Sequence, residues 1–286
     1  MLFINGLSSH INNRVNGGFD SDYQAVLNRA TTREFALPTS SHLELQNTLV
    51  LNLKSAGIWN NLDLLYVFAV KTTDDSSNFT LLNWKSPANF ELSLESSPSF
   101  SVSKGWSSAG TSRLNTGFTL DTDGNNYTKD VAGAFALLTE MSSSSQTNQR
   151  VYGNDGSSNY FSPRIDVNGS STSNRSWLNS SQYQNNSPEP LSMHMKDNVM
   201  IFQNRPDSEN INYRSTDLVN DTHFSDTFAT NSQNLPSEDL DLLGARNSDT
   251  LKSGSTLGIF GLGTSLNDTQ MDAVESALYT NYIAQL

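Results

Sequence analysis

The chain has 286 residues, no cysteine, a net charge of −12 at neutral pH and only 16% charged side chains. The missing cysteines exclude disulfides, thiolate metal sites and thiol nucleophiles, and an acidic balance without a Lys/Arg cluster argues against a nucleic-acid groove or docking on an anionic membrane. The 35% hydrophobic share is low because Ser, Thr and Asn are abundant, not because charge is high, which describes a folded, loop-rich β protein rather than a disordered one.

Residues 1–22 are rich in Asn and Gly, with turn-forming Asn16-Gly17-Gly18, and are read as an arm without an apolar period of its own. The opening MLFINGLSSHINNR lacks the positive start, apolar core and small-residue cleavage site of a secretory signal, and no run of about 18 apolar residues follows, so no membrane insertion is expected. Residues 23–78 read as a helical preface. Tyr23, Val26, Leu27 and Ala30 share one helical face behind a cap at Asp20 or Asp22, and that helix should stop before Pro38. Leu45, Leu49, Leu53 and Ala56 form a second stripe, preceded by Ser40 or Ser41 and stopped at Gly57. Leu62 to Val70, LDLLYVFAV, is apolar throughout and predicts a strand buried on both faces.

From residue 79 to 286 the texture is β, with short apolar or alternating segments between Gly, Asn, Asp and Pro turns. Strands are predicted at 90–94, 113–116, 132–138, 150–153, 160–167, 191–196, 198–203, 211–216, 226–229, 240–245 and 257–262; 142–149, 168–187 and 217–237 read as polar loops. A final helix is well specified: Asn267 and Gln270 have capping-box spacing, Asp268 suits the first turn, and Met271, Val274, Leu278 and Tyr282 line one face. It should anchor against the N-terminal helices. No linker separates two cores.

Lys104 to Phe118, KGWSSAGTSRLNTGF, reads as a Gly turn, a short strand alternating Arg113 and Asn115 against Leu114 and Thr116, and a second Gly turn. It resembles the first core strand of concanavalin A-like, laminin-G-like jelly rolls. The closest likeness is to versions carried by tailed-bacteriophage virion proteins, which also end in an apolar Gly-rich strand, here LGIFGLG, running into a helix. The block from Tyr23 to Pro87 is similar to the helical preface of those relatives. The resemblance implies a mainly β sandwich and a non-enzymatic tail, fibre or capsid-decoration protein, made in the host cytoplasm and located in the virion. Its partners would be other virion proteins and copies of itself. The alternative is a lectin-like module recognising a bacterial surface glycan.

Enzymatic members of that fold carry E-x-D-x-x-E, which places carboxyls on one strand face at the roughly 5 to 5.5 Å that retaining glycosidases need. It is absent here; the nearest cluster, Glu238-Asp239-Leu240-Asp241, reads as solvated turn charges. Asp121, Asp123 and Asn125 have the alternation of oxygen ligands that opens a calcium loop, but Ala132 stands where a bidentate Glu would close it, so a plain turn and a structural Ca²⁺ both stay open. His10, His42, His194 and His223 have no zinc spacing. Aromatic residues Tyr160, Trp177, Tyr183 and Tyr213 stand amid Asn and Gln, among them Asn179, the side-chain types that stack on sugar rings and bond hydroxyls. Subunit contacts and ordered loops are built from the same residues.

Overall fold

A computed structural model describes residues 18–71, 78–108, 110–141, 149–155, 160–168, 171–180, 184–185, 197–244 and 255–286. The first elements are helices α1 (Ser21–Thr32) and α2 (Ser40–Ser55), followed by strand β1 (Leu62–Val67). Then come β2 (Ser93–Glu95), β3 (Ser99–Ser101), β4 (Gly105–Ser107), β5 (Arg113–Thr119), β6 (Ala132–Glu140), β7 (Gln149–Arg150) and β8 (Tyr152–Asp155). The rest are β9 (Tyr160–Asn168), β10 (Ser171–Ser180), β11 (Gln184–Asn185), β12 (Val199–Arg205), β13 (Asn210–Asp217), β14 (Thr222–Ala229), β15 (Asp239–Leu242), β16 (Thr256–Gly263) and helix α3 (Asp268–Glu275).

The strands form two antiparallel sheets in a jelly-roll-like sandwich. One runs β14-β13-β12-β6-β16-β4-β3 with β1 also on β16; the other runs β11-β10-β9-β8-β15-β5-β2 with β7 on β9. Alternation assigns the faces. Along β6, Ala134, Ala136 and Leu138 point between the sheets with Leu114, Phe118, Tyr152, Leu240 and Leu242, whereas Phe135 and Leu137 point out under the helices. That double burial is why LDLLYVFAV and LGIFGLG are apolar without interruption. Gly261 belongs to the second of these because a Cβ there would lie 2.2 Å from the Phe135 ring. Gly105, in the KGW turn, has φ +118° and would press a Cβ to 2.1 Å from the Leu257 carbonyl.

The helices form a third layer over the first sheet. Tyr23, Val26, Leu27 and Ala30 of α1, Leu49, Val50 and Leu53 of α2, and Met271 and Val274 of α3 pack on Phe135, Leu137, Met200, Phe202 and Ile259. A buried hydrogen-bonded chain crosses that layer: the Tyr23 hydroxyl donates to Gln46 Oε1 at 2.6 Å, Gln46 Nε2 to the Tyr282 oxygen at 3.3 Å, and the Tyr282 hydroxyl to the Ala69 carbonyl at 2.9 Å. The C-terminal segment is thus tied to both N-terminal helices. Asp20 caps α1 through the Asp22 N–H at 3.0 Å, and Asn267 with Gln270 forms the reciprocal capping box of α3. Thr39, rather than a serine, occupies the N-cap position of α2.

Several predicted loops are strands. The polar sequence STSNRSWLNS forms β10, paired along its length with β9, and THFSDTFA forms β14 at the sheet edge, beginning at Thr222, ahead of the strand expected at 226–229. Strand β5 runs through Gly117 to Thr119 and does not stop at the second glycine. The predicted strand at 191–196 lies outside the described residues.

Candidate functional site

Three cross-strand rows on the helix-covered face of the first sheet change character from centre to edge. Phe202 pairs with Arg214 and then Ser225; Met200 with Thr216 and then His223; Asn204 with Asn212 and then Thr227. The β12 side chains lie beneath α3, while those of β13 and β14 emerge beside it. Between helix and hairpin runs a groove of three adjoining hollows, of about 520, 180 and 400 Å³. The first two share Arg214, and the last two share Asn212, Asp268 and Met271.

The helix wall of this groove is a stripe distinct from the apolar one. Asp268, Asp272, Glu275 and Tyr279 recur at helical spacing and line the hollows, while Met271, Val274 and Leu278 turn to the sheet. Helix α3 ends in a π-helical turn, Ser276–Thr280, with the Asn281 N–H on the Ser276 carbonyl at 3.0 Å, and Tyr279 stands on it. Single π-helical turns of this kind are frequent at functional sites.

At the base of the largest hollow Arg214 bridges two acids. One terminal nitrogen donates to Asp272 Oδ1 at 2.7 Å and the other to Glu275 Oε2 at 2.8 Å. The Thr216 hydroxyl donates to Glu275 Oε1 at 2.6 Å. Burial pushes the Glu275 carboxyl above its usual value, against the opposing pull of Thr216 and Arg214. Farther along, Asn204 is buried, accepting from the Leu266 N–H at 2.9 Å. Asn212, Ser225 and Thr227 present an amide and two hydroxyls to the open side.

The residues singled out in the sequence are placed elsewhere. Tyr213 is a correction: it is 2% exposed and points into the inter-sheet core from β13, because the strand period sends it to the face opposite Asn212 and Arg214. Tyr160 and Trp177 lie in β9 and β10, their side chains outside the described set, and Tyr183 lies outside the described residues altogether. Asn179 is fully buried at a bulge of β10, where it accepts from the Tyr127 hydroxyl at 2.6 Å and donates to the carbonyls of Thr128 and Lys129.

Asp121 is exposed on the helical turn Leu120–Asp123, and Asp123 accepts from the Thr119 N–H at 2.8 Å. The N–H groups of Asn125, Asn126 and Tyr127 all aim at the Asp63 carboxylate. Beyond Asp123 the backbone N–H groups of the loop are thus turned to the Asp63 carboxylate. Among the described residues no three His, Asp or Glu side chains converge as a metal site would require. The 238–241 cluster is a second correction: it enters β15, with Asp241 buried and held by Asn115 Nδ2 at 3.0 Å and Arg113 Nε at 3.4 Å. His42 is buried in α2 against the Thr39 hydroxyl, His223 lines the groove, and His10 and His194 lie outside the described residues.

The groove residues Arg214, Asp272, Glu275 and Tyr279 were not among those candidates. The stripe Asp268, Asp272, Glu275, Tyr279, running beside an apolar stripe on one helix, was the available signal.

No protein-family model and no curated protein matches the sequence. Among solved structures, the receptor binding domain of botulinum neurotoxin mosaic serotype C/D matches with a TM-score of 0.50 and 9% identity over 77% of this chain and 52% of that one. A chain designated HCR/D-Sa-GBL1/C matches with a TM-score of 0.51 and 12% identity over 78% and 53%. The enzymatically active domain of bacteriophage CBA120 tailspike protein 2 aligns at a TM-score of 0.49 and 11% identity over 68% and 32%. These likenesses are to the fold alone, and at the tailspike's score they carry no weight. The chain spans about half the length of the botulinum binding domains it resembles.

Proposed function

We propose that this chain is a non-catalytic, carbohydrate-binding β-sandwich of a bacteriophage particle, and that it holds its glycan in the groove between α3 and the β13–β14 hairpin. The observation that carries the reading is that groove: an elongated, open channel in which a half-exposed tyrosine, amides, hydroxyls and carboxylates alternate. A sugar chain needs an aromatic face for its C–H surface and many short polar groups for its hydroxyls. Of the groove's acids, Asp272 and Glu275 share the Arg214 guanidinium, which supports a holding rather than a proton-transferring role for that pair. Placement in a phage particle rests on the resemblance of KGWSSAGTSRLNTGF and LGIFGLG to virion jelly rolls.

The test is a glycan array probed with the full chain and with Tyr279→Ala. Selective signals on the wild type that fall about tenfold in the variant are expected. No signal at high protein concentration overturns the binding reading, and release of reducing ends from a bound glycan overturns its non-catalytic part. Peptide mass spectrometry of purified particles, scaled to the major capsid protein, should find stoichiometric copies; absence removes the phage setting and leaves the sugar site standing.

A further inference from the structure

We infer that the groove prefers saccharides carrying free amino groups and rejects those carrying carboxylates. This rests on the groove being the sugar site. Both walls contribute acids: Asp268, Asp272 and Glu275 from α3, and Asp221 from the hairpin. Arg214 is the only Lys or Arg among the described lining residues, and its guanidinium is engaged by Asp272 and Glu275. Asp221 and Asp268 form no ion pair among the described residues and stand exposed at opposite ends of the channel.

An ammonium group on a pyranose ring gains from such a lining in two ways. It donates up to three hydrogen bonds to acceptor-only carboxylates, and it enters a concave surface whose field favours cations. The acetamide of an N-acetylated sugar keeps its shape complementarity but not this attraction. A uronate meets like charge, unpaired among the described residues, at both ends of the channel, from Asp221 and Asp268. The Asp268–Asp272 step of one helical turn sets two acids on one wall, the arrangement a repeating polyamine chain would use.

The experiment titrates the full chain calorimetrically with a glucosamine hexamer, its fully N-acetylated counterpart and a galacturonic acid hexamer. The glucosamine hexamer should bind about fivefold or more tighter than the acetylated form in about 20 mM salt, with the ratio shrinking toward one near 0.5 M as the exposed carboxylates are screened. The galacturonate should not bind. Combining Asp268→Asn with Asp272→Asn should bring the amine-to-acetyl ratio close to one. Equal affinity of the amine and acetylated hexamers at low salt, tighter binding of the galacturonate, or no binding of the glucosamine hexamer overturns the inference. A neutral glycan that still binds on the array shows that the groove reading survives; a blank array removes both.

Discussion

The centre and the edge of the first sheet share one backbone ladder and one face, yet behave as different materials. On β12, Met200 and Phe202 are fully buried beneath α3. Two strands outward, the same rows end in His223 and Ser225, both exposed. Position relative to the helix therefore decides burial, and burial decides whether a side chain serves stability or is available to a ligand. Between the two zones stands β13, where Arg214 and Thr216 are buried but polar, and their partners come from the helix edge itself.

The sharpest way to break this contrast is to truncate both ends of one row. Phe202→Ala should cost about 4 kcal/mol in denaturant unfolding, from lost burial plus the cavity left against Phe135. Ser225→Ala, in the same row, should stay within about 0.5 kcal/mol of wild type. Comparable losses at both positions would show that the edge is as closed as the centre. Next in size is Arg214→Met. It leaves Glu275 with only Thr216 and should cost about 3 kcal/mol, most of which Glu275→Gln in the same chain should restore, since the penalty is that of a buried carboxylate stripped of its cation.

That boundary also separates what was legible in the sequence from what was not. Helices and doubly buried strands announce themselves because burial demands a period or an unbroken apolar run. Hence α1, the capping box of α3, and the LDLLYVFAV and LGIFGLG strands were readable. The mainly β sandwich was readable from the turn spacing. Strand β14 was readable only in its second half, 226–229, because Thr222 to Ser225 are residues of a loop and strand pairing satisfies the backbone whatever the side chains. Asp241 misled for the reverse reason: a buried acid bonded to Asn115 and Arg113 looks, in sequence, like a turn charge. The aromatic reading of the binding surface failed at Tyr213 by one residue of register: its ring turns to the inter-sheet core, whereas its neighbours Asn212 and Arg214 turn to the groove face.

Smaller in effect is Tyr279→Ala. Its ring is half-exposed on the groove wall, so the unfolding midpoint should barely move, while affinity for an array-positive glycan should fall about tenfold, close to 1.4 kcal/mol of binding free energy. A large drop in stability without a specific loss of binding would return Tyr279 to the core side of the contrast.

The smallest effects are protonic, and the two regions should show them with opposite sign. Glu140, on the rim of β6, is held below its usual value chiefly by its hydrogen bond to Lys104 and also by Thr256, with desolvation opposing. Its contribution to stability is present above the ordinary carboxylate value and is lost as pH falls through the depressed one. Glu275, on the groove, is held above its usual value by burial, which outweighs Thr216 and Arg214. Its folded form binds the proton more tightly than the unfolded chain does, so its contribution is complete below the ordinary value and is lost as pH rises through the raised one. Denaturant midpoints followed upward from about pH 4 should therefore fall less steeply in Glu275→Gln than in wild type, whereas over the more acidic range below about pH 4.5 Glu140→Gln should lose the wild-type gain with rising pH. Parallel curves for wild type and Glu275→Gln would mean that the groove floor is as well solvated as its rim, and that Arg214 rather than burial governs the acid it holds.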